Sequence, residues 1–212
     1  RDAGAREAQV FIPNRFDHGY GLTTCTVEAL LALRPELVVT VDNGITAVDE
    51  VARLQAAGIR TVITDHHLPR HGGGVPAGIV VNPQQPGCPY PFKKISGVGV
   101  TFKLVTALRK ALRERGWWRE GRREPNLKAL LDLVAVGTVA DVMPLVEENR
   151  VLVRHGLAVL NSPPLRPGLA ALLAYGRGEN VTARTIAFRI APRLNAPGRM
   201  SDGTLAVKLL LE

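Results

Sequence analysis

The chain has 212 residues, 46% of them apolar, a formal net charge of +8 and only two cysteines, Cys25 and Cys88. This length buries a sizeable core as one large domain or one and a half smaller ones. It excludes a disulfide scaffold, no stretch approaches the ~20 apolar residues of a membrane span, and with no apolar leader after Arg1 the expected setting is the cytoplasm.

In chain order, short apolar runs alternate with amphipathic segments, which predicts an α/β layer fold on a parallel sheet. Residues 9–13 read as a strand, 23–33 as a helix stopped near Pro35, and 37–41 as the next strand. Thr46 is the expected N-cap of a helix over 47–57, with Asp49 three residues on and Gly58 closing it. A hairpin through Asn43-Gly44 is the competing reading, opposed by the helical pattern after Thr46. Residues 60–64 and 77–81 read as strands, and 82–96, with four prolines, as a connecting loop. Ser96 is placed to cap a helix over 97–115.

Residues 103–128 hold nine Lys or Arg against three Glu, and 117–125 read as an exposed basic loop. Such a cluster suits a phosphate backbone, although on charge alone a solvated face is the simpler reading. A helix is expected over 126–136. Beyond Asp141 the chain reads as helices over 148–160, 169–175, 182–190 and 202–211, with no second β-rich domain.

Two segments carry chemistry. Leu37-Val38-Val39-Thr40-Val41-Asp42-Asn43-Gly44 and Thr61-Val62-Ile63-Thr64-Asp65-His66-His67 are β-branched runs that stop at a carboxylate. Ligands of open α/β sheets sit beyond the carboxyl ends of the strands, and this mixture of Asp and His suits Mn or Mg rather than a thiolate metal. Alone, Asp42 also fits an Asx-turn and His67 a loop or cap. Asp141 lies among apolar residues and needs a cation, hydrogen-bond donors or a helix N-terminus to cap. Asp132 reads as part of a solvated helix face. The run Asn195-Ala196-Pro197-Gly198-Arg199-Met200 combines turn formers with an arginine suited to phosphate, and fits a plain loop equally well.

Taken together, these residues resemble the DHH phosphoesterases, and within them the RecJ-type single-strand-specific exonucleases. The resemblance is carried by Asp65-His66-His67 and by Phe11-Ile12-Pro13-Asn14-Arg15-Phe16, Val41-Asp42-Asn43-Gly44, Gly97-Val98-Gly99-Val100, Gly137-Thr138-Val139-Ala140-Asp141-Val142-Met143-Pro144-Leu145, and Pro192-Arg193-Leu194-Asn195 with Gly198-Arg199-Met200. It implies a parallel-sheet, Rossmann-like DHH domain over 1–145 and a mostly helical connector over 146–212. It also implies a two-metal, Mn2+- or Mg2+-dependent hydrolase removing nucleotides from the 5′ end of single-stranded DNA in repair and recombination. Asp42 would bridge the ions, His66 and Asp141 would ligate one of them, and Asp65 would be their acidic neighbour. His67 would face the scissile phosphate, and Arg15, Asn195 and Arg199 would contact DNA. Single-strand-binding protein and recombination helicases are the protein partners it suggests, with the chain itself a monomer away from membranes. The family's first motif, Asp-x-Asp, is expected upstream of Phe11, and its second phosphoesterase domain and oligonucleotide-binding fold beyond Glu212. The chain therefore reads as an internal fragment. A small-substrate phosphoesterase and a non-catalytic DNA-binding or scaffold module are the competing functional classes.

Overall fold

The computed structural model describes residues 3–14, 19–119, 121–174, 180–200 and 203–211. Three parallel strands, β1 (Leu37–Val41), β2 (Arg60–Thr64) and β3 (Ile79–Val81), form a sheet in that order. Leu37 pairs with Arg60, Val41 with Thr64, and Val62 with Ile79. One face carries α1 (Thr24–Leu33) and α2 (Val48–Ala56), whose Val27, Leu30, Val51 and Leu54 enclose Ile63 in a core. Each such side chain contributes about 1.5–3 kcal/mol by leaving water. The opposite face meets α3 (Gly97–Glu114), where the hydroxyls of Thr64 and Thr101 lie 3.4 Å apart. Alternation along β2 therefore sends Ile63 to one layer and Thr64 to the other.

Local signals explain the helix starts. Thr23 Oγ1 accepts the Thr26 N–H, and Ser96 Oγ accepts the Gly99 N–H at 3.2 Å. Each satisfies a donor that the first helical turn leaves open. Gly58, at φ +78, makes the left-handed turn that carries the chain from α2 into β2.

The remaining helices build a second core. They are α4 (Leu131–Ala140), α5 (Glu147–Leu160), α6 (Pro167–Leu173), α7 (Ala183–Thr185), α8 (Ala191–Met200) and α9 (Thr204–Leu211). A π-helical turn, Ile186–Ile190, joins α7 to α8. Ala135, Val153, Leu160, Leu169, Ile186 and Ile190 are buried together there. Gly156 lets α5 touch α4, because a Cβ at that position would overlap the Leu131 carbonyl. No helix among the described residues is long and apolar enough to cross a membrane.

Several expectations need correction. Residues 9–13 form no strand, and Val10, Phe11 and Ile12 stay more than a third exposed. A strand needs a neighbour, and among the described residues the sheet ends at β1. Thr46 does not cap α2: Ala47 occupies the cap position without a side-chain bond, and its N–H donates to the Gly44 carbonyl. The helix expected over 126–136 opens as a 3-10 turn, Leu127–Leu130, and α4 continues to Ala140. Residues 191–200, expected as a loop from Asn195 onward, are helical with Pro197 inside. Asp132 is buried rather than solvated, its Oδ2 accepting from Arg166 Nε at 2.9 Å. The basic loop folds back on α3: Trp118 donates to the Arg109 carbonyl, Arg113 pairs with Glu124, and Arg122 lies over the Trp117 ring. Arg119, Arg122 and Arg123 remain exposed.

Candidate metal centre

Both strand-end acids are pinned by the neighbouring strand. The Asp42 N–H donates to the Thr64 carbonyl at 2.9 Å, and the Asp65 N–H to the Val81 carbonyl at 3.1 Å. The sheet register therefore places the two acids, one residue beyond β1 and β2, on the same edge. Asp42 then leaves the strand direction at φ +63, a left-handed conformation that Asp tolerates better than β-branched residues. The turn is closed by Thr40 Oγ1 donating to the Asn43 carbonyl at 2.7 Å and Asn43 Nδ2 donating to the Val41 carbonyl at 2.9 Å.

Asp65 is 1% exposed, and both of its oxygens are taken. Oδ2 accepts the Ile45 N–H at 3.0 Å, while Oδ1 accepts the His66 N–H at 2.7 Å, the His67 N–H at 3.2 Å and His67 Nδ1 at 2.7 Å. Burial alone would raise its pKa, but the donors from Ile45, His67 and His66 overcome this and hold it below the ordinary carboxylate value.

The histidines are oriented from behind. His66, 8% exposed, points Nδ1 at the Ile95 carbonyl at 3.1 Å, so Nδ1 carries the proton and Nε2 faces the site with its lone pair. Nδ1 of His67 donates to the Asp65 carboxylate in the same way, so its Nε2 is the nitrogen left with a lone pair. A metal-binding imidazole characteristically has its other nitrogen held by a carbonyl or carboxylate.

His66 Nε2 lies 3.1 Å from Asp42 Oδ1 and 3.4 Å from Asp141 Oδ2. Yet His66 Nε2 and Asp42 Oδ1 are both buried without a hydrogen-bond partner among the described residues. Buried polar atoms left in that state are costly. One ligand atom each from Asp42, His66 and His67 falls within a 4.8 Å cluster, and Asp141 reaches His66 from the other side. Carboxylate oxygen and imidazole nitrogen converging on one point fit a borderline-hard divalent cation. Without the ion, the adjacent Asp42 carboxylate raises the His66 pKa, with Asp141 and Asp65 contributing. Burial, assisted by Asp42, raises that of Asp141 against the pull of His66.

Two features complete the cluster. Gly97, the first residue of α3, is where the Asp42 carboxylate sits; a Cβ there would overlap Asp42 Oδ1. Asp141 is the C-cap of α4 rather than an N-cap. The next residue, Val142, is left-handed at φ +56, and the Val142 and Met143 N–H groups return to the Val139 and Thr138 carbonyls. This is a Schellman stop with valine where glycine is favoured.

The fold brings Asp42, Asp65, His66, His67 and Asp141 together. Asn195 and Arg199 lie exposed on α8, with no hydrogen bond or ion pair to the cluster among the described residues, and Arg15 lies outside the described residues. The roles of Ile95 and Gly97 were not predicted. A main-chain carbonyl gives no sequence signal, and Gly97 stood only within Gly97-Val98-Gly99-Val100, a stretch of the family resemblance with no role attached.

An acidic and imidazole cluster beyond the carboxyl ends of a parallel sheet lies where open α/β folds bind their ligands, and its donor set is that of a candidate divalent-metal centre. The chain belongs to the DHH family: the family model described as DHH family, N-terminal domain, matches residues 2–138. Its sequence is 47% identical to the single-stranded-DNA-specific exonuclease RecJ of Dickeya dadantii (strain 3937), over 100% of this chain and 37% of that protein. It is 43% identical to RecJ of Escherichia coli (strain K12), with the same 100% and 37% coverage. The fold is similar to a crystal structure of exonuclease RecJ bound to manganese, at TM-score 0.79 and 39% identity, covering 95% of this chain and 48% of that one. A second similar structure is RecJ in complex with Mn2+ from Thermus thermophilus, at TM-score 0.72 and 37% identity, covering 88% and 26%. The chain spans little more than a third of the length of these curated relatives, 37% in both cases.

Proposed function

We propose that this chain is the metal-holding core of a single-stranded-DNA-specific 5′–3′ exonuclease that uses Mn2+ or Mg2+. The observation that carries the reading is the convergence of Asp42 Oδ1 and His66 Nε2, buried 3.1 Å apart and without a hydrogen-bond partner among the described residues, with Asp141 Oδ2 3.4 Å from the same nitrogen. The RecJ relatives supply the substrate, single-stranded DNA, and the manganese-bound RecJ structure supplies the ion.

In this reading Asp42, His66 and Asp141 hold the metal, whose chemistry is to activate water and neutralise charge on the phosphate. On the family resemblance His67 would face the scissile phosphate, through the ring nitrogen that Asp65 does not hold. Asp65 positions both histidines by binding their backbone N–H groups and the His67 ring. Arg15, Asn195 and Arg199 are proposed DNA-phosphate contacts on the family resemblance. Single-strand-binding protein and recombination helicases are proposed partners on the same ground, the protein itself acting as a cytoplasmic monomer. The DHH domain is proposed to end near 145, with 146–212 as its helical connector.

The test is degradation of a 5′-labelled single-stranded oligonucleotide by the full-length protein with Mn2+ or Mg2+, beside His66→Ala. Loss of metal-dependent release in the variant is expected; full activity would overturn the assignment. Metal-independent DNA binding without turnover would favour the scaffold reading, and hydrolysis of dinucleotides alone the small-substrate one.

A further inference from the structure

Two stretches of chain enclose His66. Residues 94–97 supply the Ile95 carbonyl behind its ring and the Gly97 gap occupied by Asp42, and residues 141–144 supply Asp141. The stretches belong to different elements, one leading into α3 and the other leaving α4. Ser96 and Thr138 join their helical sides through hydroxyls 2.7 Å apart. On the far side, a single amide spans them. Asn149, in the first turn of α5 and 0% exposed, donates from Nδ2 to the Lys94 carbonyl at 2.7 Å and to the Pro144 carbonyl at 3.1 Å. Lys94 precedes the residue that orients His66, and Pro144 lies three residues after Asp141.

The assignment of the amide nitrogen follows from its partners. Two carbonyls require a group with two N–H donors, and the flipped amide would set three oxygens against one another. Asn149 Oδ1 is left buried without a partner among the described residues, so the side chain serves solely as a double donor, at a cost. The neighbouring Glu148 also anchors α5 beside α3, accepting from Tyr90 Oη in the loop before α3 and from Lys103 Nζ of α3 at 2.9 Å.

We infer that Asn149 is a positioning residue of the metal centre, which sets the spacing between His66 and Asp141 by clamping the Lys94 and Pro144 carbonyls. This rests on the metal reading above. Groups that orient metal ligands from behind are worth about 10–100-fold in metal affinity. Asn149→Ala in the full-length protein is therefore expected to weaken Mn2+ binding by about tenfold or more, and Asn149→Ser, with one donor, to fall between it and the parent.

The experiment is Mn2+ titration by calorimetry or electron paramagnetic resonance, with folding checked by circular dichroism. Arg166→Ala, which breaks the Asp132 ion pair remote from the cluster, serves as the control for lost stability. Its Mn2+ affinity is expected to match the parent's while its melting temperature falls. Parent-like Mn2+ affinity in Asn149→Ala would overturn the inference, as would an equal loss in Arg166→Ala. Should neither Asn149 variant fold, the parent carries the test through linkage: Mg2+ should slow hydrogen exchange of the Asn149 side-chain amide, and unchanged exchange would overturn the inference. The underlying metal reading fails differently, by His66→Ala binding Mn2+ as tightly as the parent.

Discussion

The turns that follow β1 and β2 lie side by side on one sheet edge, and each begins with an aspartate. After β2, Asp65 accepts four hydrogen bonds and is sealed from solvent. After β1, Asp42 turns left-handed and leaves a buried oxygen without a hydrogen-bond partner, among the described residues, beside an imidazole nitrogen in the same condition. The same residue type in the same topological position thus does two jobs. One carboxylate holds the protein's own donors in place, and the other is the proposed cation ligand. Position at a strand end makes an acid a candidate ligand, but the donors already around it decide whether it can be one.

The sharpest way to break this comparison is to remove the open side. His66→Ala or Asp42→Asn should lower Mn2+ affinity by more than about 100-fold, beyond the range of groups that only orient ligands, with a smaller fall in melting temperature in chelator for Asp42→Asn than for Asp65→Asn. Calorimetric titration beside thermal denaturation checks both halves.

The closed side should respond in the opposite sense. Asp65→Asn replaces an acceptor of four donors by a group that brings N–H donors of its own. It should cost about 2–4 kcal/mol of stability, the scale of buried charged hydrogen bonds, measured by denaturant unfolding. A pH series separates the two sides further in metal-free protein. The Asp65 pKa is lowered on folding, so its contribution is complete above the unfolded value of 3.8 and is lost as pH falls through the folded one. The His66 pKa is raised, so its contribution is complete below the unfolded value of 6.5 and is lost as pH rises through the folded one. Asp65→Asn should therefore flatten the acid limb of the stability profile, and His66→Ala the limb above 6.5.

Much of this was legible before the fold was known. The β-branched runs 37–41 and 60–64 end where the structure ends them, because such a run followed at once by acids and histidines has few alternatives. Other features were hidden for physical reasons. Asp132 looked solvated because its partner, Arg166, lies 34 residues away. The run around Asn195 has the composition of a turn, yet Leu194 packs against the helical core, Ala191 at the start of the helix is buried, and the helix absorbs Pro197. Asn149 bonds main-chain carbonyls, one of them 55 residues away, which no pattern of side chains announces.

Smaller effects refine the picture. Gly97→Ala should push the Asp42 carboxylate aside and weaken Mn2+ about tenfold, an indirect effect on a ligand, with stability largely kept; Mn2+ titration reads it. Val142, 87% exposed and left-handed, bears the strain of the sharp stop after Asp141. Val142→Gly should add about 1 kcal/mol to stability by relieving that conformation, and thermal unfolding checks the sign.

In the proposed site Asp42 Oδ1, His66 Nε2 and Asp141 Oδ2 share one divalent cation while Asp65 does not. Anomalous diffraction at the manganese edge, from crystals of the full-length protein grown with Mn2+, tests it directly. The expected result is a peak about 2.0–2.3 Å from those three atoms, with Asp65 still bound to Ile45, His66 and His67. A manganese ion held by Asp65, or one that leaves His66 Nε2 outside its coordination, would contradict it.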